Sequence, residues 1–267
     1  MQDTYPPPAV SSQSPCHFVV HIGYPKTATT FLQQQVFAGN PEILNVGRPT
    51  AWYEDGRTGF RDALLCETAP DLVAMHRTLR GICQEYSEAG RKRIAVLSDE
   101  HYSTGALTSP LATLSAATIM ERLSSVLPEA RILIVIRHQA HILLAEYQND
   151  LKMRRTSQSP DAWLAAQKRR ADGGALRAFD FMPTIRLAHE LFGASQVKVL
   201  LYEDLKFAPS RFEAGLSEAL DLPCEAIRPY LDKAPENVTT ALEHAYLQLR
   251  RHIPPGLYHH PFINRLK

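Results

Sequence analysis

Residues 23–31, Gly23-Tyr24-Pro25-Lys26-Thr27-Ala28-Thr29-Thr30-Phe31, concentrate the most distinctive chemistry of the chain. They follow an apolar run, His17-Phe18-Val19-Val20-His21-Ile22, and lead into Phe31, Leu32, Val36 and Phe37 at helical spacing. A turn between a strand and a helix presents the unpaired N–H groups of the helix start, and the helix dipole adds partial positive charge there. Lys26 contributes a point charge; Thr27, Thr29 and Thr30 contribute hydroxyl donors. This is chemistry for a phosphate or a phosphosulfate. A Thr-capped helix with a solvated Lys26 would use the same residues. The ATPase pattern G-x-x-x-x-G-K-S/T is not met, because Pro25 precedes Lys26 and no second Gly follows Gly23 in the turn.

Three further polar groups sit at the ends of apolar runs. Arg137 follows Arg131-Ile132-Leu133-Ile134-Val135-Ile136, Asp99-Glu100-His101 follow Arg93-Ile94-Ala95-Val96-Leu97-Ser98, and Tyr202-Glu203-Asp204 close a run that begins at Gln196. These runs read as strands, with a short further one at 43–46. Helical patterning lies between them: to about Phe37 after the turn, over about 60–87, over about 111–127 before Pro128, two or three helices within 138–192, then about 209–220 and 238–252. Strands separated by helices imply crossover connections, hence an α/β three-layer sandwich with a central, mostly parallel sheet. Ligands of such sheets sit at the carboxyl ends of the strands, where all these polar groups fall. Residues 1–15, rich in Pro and Ser, read as a disordered lead-in to one domain over 16–267.

The order Tyr24-Pro25-Lys26-Thr27-x-Thr29-Thr30 resembles the 5′-phosphosulfate loop of sulfotransferases that use PAPS (3′-phosphoadenosine 5′-phosphosulfate), whose usual form is Y-P-K-S/T-G-T-T-W. Ala28 stands where Gly is usual and Phe31 where Trp is usual; the following helix implies a helical backbone at position 28, which Ala would accept. The resemblance implies a P-loop-like, nucleotide-kinase-like fold in which Lys26, Thr27, Ala28, Thr29, Thr30 and Phe31 hold the 5′ end of PAPS. It implies that Arg137 binds the 3′-phosphate; the Ser expected eight residues later is Ala145. It makes Tyr202 a candidate to stack on adenine, with a plain core role as the alternative, while Glu203 and Asp204 organise the turn that follows. Arg250-Arg251-His252-Ile253-Pro254-Pro255-Gly256 matches the late R-K-G loop of cytosolic members loosely, and a solvated basic helix end explains it as well. The segments 134–140 and 179–205 look more like bacterial members than animal ones.

The same resemblance implies sulfuryl transfer from PAPS to an acceptor hydroxyl, less readily an amine, of a carbohydrate or glycoconjugate. Lys26 would stabilise the leaving phosphate and a base would take the acceptor proton. The alignment sets Glu100 at the family's base position and makes it the preferred base, with His101, one residue later and of more suitable intrinsic pKa, as the alternative. Neither the scheme nor the sequence calls for a metal. Arg154-Arg155 and Lys168-Arg169-Arg170 would flank the acceptor cleft, or form a solvated helix face.

The bulk properties fit. In 267 residues with 45% hydrophobic content there is ample material for a core, and a net charge of +1 signals neither nucleic acid nor a membrane surface. The four cysteines are widely spaced, as suits a reducing compartment. The N-terminus lacks a signal-peptide pattern and no run reaches the ~18 apolar residues of a membrane span. The expectation is a cytoplasmic enzyme. Its rivals are a nucleotide kinase or NTPase, and a non-catalytic nucleotide-binding relative of the same fold.

Overall fold

The computed structural model describes residues 16–48, 50, 60–67, 70–88, 94–107, 112–170 and 172–232. Five strands form one parallel sheet: β1 His17–Gly23, β2 Ile43–Asn45, β3 Ile94–Ser98, β4 Arg131–Ile136 and β5 Val197–Leu201, in the spatial order β2-β3-β1-β4-β5. β1 is central. Its neighbours are held in register by pairs such as His21 with Ser98 on β3 and with Leu133 on β4.

The strands read as unbroken apolar runs because both sheet faces are covered. Side chains alternate across the pleat. Phe18, Val20, Ile22, Ile132 and Ile134 face one layer, which includes helices α2 Phe60–Leu65, α3 Leu72–Glu88 and α5 Ala116–Val126. Val19, Val96, Leu133 and Val135 face the other, built from Leu32, Val36 and Phe37 and from helices α11 Pro209–Leu220 and α12 Cys224–Leu231. The expected three-layer α/β sandwich is the observed one.

Several boundaries differ from the sequence expectation. The helix expected over 60–87 is two helices, and the interval between them holds Pro70, which cannot donate to a helical ladder. The helix expected from 111 begins at Ala116, because Ser115 caps it: its hydroxyl accepts from the Thr118 N–H at 3.1 Å. The interval 138–192 contains four helices: α6 Gln139–Lys152, α7 Pro160–Arg169, the short α8 Gly174–Ala178 and α9 Phe181–Phe192. Helix α12, not expected from the sequence, contains an interior proline, Pro229. The expected lead-in at 1–15, the helix at 238–252 and the basic segment 250–256 lie outside the described residues.

After β1 the chain turns into a short helix, α1 Thr29–Phe31, which widens at once into a π-helical stretch, Leu32–Phe37. The Ala38 N–H reaches back five residues to the Gln33 carbonyl at 3.0 Å. Such widened turns recur at functional sites. Two short helices complete the frame: α4 His101–Thr104 after β3, and α10 Asp204–Phe207 after β5. Among the described residues no helix is long and apolar enough to cross a membrane.

Candidate active site

The turn after β1 has an unusual backbone. Lys26 and Ala28 both take positive φ, 66° and 63°. The helical backbone expected at Ala28 is therefore corrected: φ 63°, ψ 21° is left-handed, a conformation that costs an L-residue with a Cβ about 1–2 kcal/mol and costs Gly nothing comparable. Ala28 has no side chain to cap α1, so no side-chain oxygen covers the first N–H groups of that helix.

The threonines divide. Thr27 and Thr29 are buried, and their hydroxyls donate inward to the Tyr24 carbonyl at 2.6 and 3.0 Å. Their protons satisfy the turn itself, which corrects the expectation that all three hydroxyls face an anion. Thr30 is exposed and Phe31 packs into the second core layer. Gly23 lies against Thr29 so closely that a Cβ there would stand 2.5 Å from its Oγ1. Beneath the turn, His21 Nδ1 lies 2.8 Å from Ser98 Oγ, and Gln33 Nε2 donates to the same oxygen at 3.0 Å. Burial lowers the His21 pKa to about 3, so its ring is neutral.

Lys26 points toward α6, where its Nζ donates to Asn149 Oδ1 at 2.9 Å. Arg137, at the end of β4, donates from Nη1 to the Lys26 carbonyl at 3.0 Å. Its guanidinium lies over the Tyr202 ring, 4.4 Å from the centroid, and its buried Nε has no partner. The structure thus gathers Lys26, Arg137 and Tyr202 into one constellation across the carboxyl ends of β1, β4 and β5. Ala145 sits half-buried on α6. Glu203 accepts from the His138 N–H at 3.0 Å, and Asp204 pairs with Arg211, whose Nε donates at 2.7 Å. Asp204 thus ties α10 to α11, whereas Glu203 reaches across to the start of α6 rather than organising its own turn.

On the other side of β1, Asp99 and His101 form a pair. Asp99 is fully buried; its Oδ1 accepts from His101 Nδ1 at 2.6 Å and from the His101 backbone N–H at 2.9 Å. Burial opposes the Asp99 charge, but these hydrogen bonds, the imidazole and Arg48 together hold its pKa below the ordinary value. An ionised Asp99 accepts only, so Nδ1 carries the proton in this hydrogen bond and Nε2 is the ring nitrogen turned away from Asp99. Glu100 is more exposed and pairs with Arg48 at 3.5 Å. Ser103 Oγ donates to the Gly23 carbonyl at 3.0 Å, fastening α4 to the turn.

Two residues that sequence reasoning missed join this region, and Asp99, which the sequence marked as a polar strand end, takes a definite place in it. Asn149 is the partner of Lys26. Glu146, one helical turn earlier, is buried, and burial raises its pKa against the opposing pull of Lys26. Asp99 orients His101. The available signals were the polar i, i+3, i+4 stripe Glu146, Asn149, Asp150 on α6 and the Asp-x-His spacing after β3.

Among solved structures, a sulfotransferase from Alicyclobacillus acidocaldarius superimposes with a TM-score of 0.53, covering 93% of this chain and 99% of its own at 16% identity. The fold is that of a sulfotransferase. A sulfotransferase domain from the curacin biosynthetic pathway aligns with a TM-score of 0.46 at 13% identity, over 88% of this chain and 83% of its own. No protein-family profile matches the chain, and no curated protein sequence does.

Proposed function

We propose that the chain is a PAPS-dependent sulfotransferase that acts on an acceptor hydroxyl, with a carbohydrate or glycoconjugate as the acceptor class its sequence resemblance implies. One observation carries this reading: Lys26 and the Asp99–His101 pair follow two adjacent parallel strands, a few residues beyond the registered pair His21 and Ser98, at the same edge of the sheet. A cation for a leaving phosphate and an oriented base for an acceptor are the two groups that sulfuryl transfer requires.

PAPS would supply the sulfuryl group. Lys26 and the first N–H groups of α1 would bind its 5′ side, and Arg137, whose buried Nε lacks a partner, fits the 3′-phosphate. His101 Nε2 takes the acceptor proton as the acceptor oxygen bonds to sulfur and the bond from sulfur to the phosphate oxygen breaks. Lys26 leaves Asn149 to stabilise the charge that develops on that oxygen. His101 is preferred to Glu100 as base because Asp99 orients it and holds its proton on the far nitrogen, whereas Glu100 is paired with Arg48.

The non-catalytic reading has one point in its favour: Arg137 Nη1 is engaged by the chain's own Lys26 carbonyl, and Ala145 offers no hydroxyl. Calorimetry with PAP, the desulfated product, in the absence of Mg²⁺ separates the readings. A sulfotransferase binds PAP at micromolar concentration and better than ADP, and Lys26→Ala weakens PAP about 10–100-fold, the worth of a charged hydrogen bond. PAP binding no tighter than ADP overturns the proposal.

A further inference from the structure

A cavity of about 630 Å³ opens along α6, bounded by α7, α8 and the Gly105–Leu107 turn that follows α4. Glu146, Asp150, Arg155, Gln158, Trp163 and Gln167 are in its wall. It adjoins Lys26, because Glu146 in the wall feels the Lys26 charge and Asn149, one turn along the same helix, binds it. The Gly105–Leu107 turn continues directly from the helix that carries His101. The cavity therefore lies between the segments that carry the proposed base and the proposed leaving-group cation.

Its most informative feature is Glu146. This side chain is 8% exposed, yet its carboxyl accepts no hydrogen bond from any described residue. Its carboxyl opens onto the cavity, where water or a ligand hydroxyl can donate to it. The charges facing it balance in sign: Lys26 and Arg155 against Asp150 and Glu100. Lys26 and Arg155 oppose an ammonium group, and Glu146, with Asp150 and Glu100, opposes an anion. The basic residues of the wall are engaged already: Arg155 lies 3.7 Å from Asp150, and Arg170 is held by both oxygens of Asp172. A flat aromatic acceptor has no platform. Trp163 is 4% exposed, with its Nε1 donated to Asp150 at 2.9 Å. What remains suits a molecule rich in neutral hydroxyls, with side-chain carboxylates and amides to meet them.

We propose that this cavity is the acceptor site and that it takes a neutral saccharide unit, with Glu146 accepting from the reacting hydroxyl or its neighbour and so positioning it beside Lys26. The proposal rests on the sulfotransferase reading for the word acceptor, but binding can be read without turnover. Saturation-transfer NMR on the full chain would compare neutral disaccharides (maltose, cellobiose, lactose and N,N′-diacetylchitobiose) with a uronate-containing disaccharide and 2-naphthol. Variants Ala166→Trp, which fills the cavity from α7, and Glu146→Ala would be measured beside wild type, with PAP calorimetry on the same samples reporting an intact fold. The expected result is saturation transfer to at least one neutral disaccharide, lost in Ala166→Trp and weakened about 10-fold in Glu146→Ala. Absence of neutral-disaccharide binding, binding that survives Ala166→Trp, or preference for the uronate or the naphthol overturns the assignment. Failure of wild type to bind PAP, whatever the sugars do, overturns the sulfotransferase reading instead.

Discussion

In the turn after β1, polar groups are committed to one another: Thr27 and Thr29 to Tyr24, His21 and Gln33 to Ser98, the Lys26 carbonyl to Arg137. Along the cavity beside α6, Glu146 accepts nothing from the described residues, and polar groups surround open volume. The first region is fixed by these bonds, with the buried Arg137 Nε left without a partner among the described residues; the second turns a carboxyl toward open volume. On the proposed function this division has a physical sense. The leaving-group side must hold charge at a fixed point, since misplaced donors lose transition-state stabilisation steeply. The acceptor side must receive a molecule, which requires acceptors and donors not yet satisfied.

The largest effect that would sharpen this contrast lies at the carboxyl end of β3. With PAPS and acceptor supplied, His101→Ala should lower kcat about 10²–10⁴-fold, Asp99→Asn should follow it, and Glu100→Gln should cost about threefold or less. Steady-state transfer assays decide this, and a larger loss in Glu100→Gln than in His101→Ala would exchange their roles.

The two regions should also respond to pH with opposite signs. His21 has its folded pKa lowered to about 3, so the stability it contributes is present above its unfolded pKa near 6.5 and is lost as pH falls. Urea unfolding should show about 2 kcal/mol lost between pH 7 and pH 5 through this group, and His21→Gln should flatten that slope. Glu146 has its folded pKa raised, so its contribution is complete below the ordinary carboxylate range and is lost as pH rises through the folded value. Glu146→Gln should therefore gain stability relative to wild type as pH rises from 4 to 8, read by the same urea unfolding. Parallel slopes for the two variants would break the contrast.

The smallest effect tests the strain in the turn. Ala28→Gly should stabilise the protein by about 0.5–1 kcal/mol, the relieved left-handed penalty less the greater freedom of Gly in the unfolded chain. Thermal unfolding reads it; a destabilised variant would mean that the turn holds Ala28 without strain.

The legible parts of the sequence were the local ones. Strand, turn and helix around Lys26 occupy consecutive residues, and the apolar runs at β3, β4 and β5 stand between polar segments, so the sheet and the residues at its carboxyl edge could be read. Ala28 misled because a residue type reports its preference, and here the turn overrides it. The helix α12 went unassigned, and it tolerates an interior proline, Pro229, whose usual cost argues against a helix. The partner of Lys26 was not legible at all: Asn149 lies 123 residues away, and nothing local to either residue announces the contact. Glu146 was hidden for the same reason. Its burial and its lack of partners are properties of packing, whereas in sequence it is one acid on an amphipathic helix.

Arg137 touches the turn at the Lys26 carbonyl, and Lys26 is one of its two left-handed residues. If the guanidinium moves to a ligand phosphate, that carbonyl loses its donor and the turn is free to relax. The 3′ and 5′ halves of a bisphosphate ligand would then not be read independently. Their binding free energies would fail to add, with a coupling term carried by a single side chain. A ligand with one phosphate would report on half a lock whose other half had not yet been released.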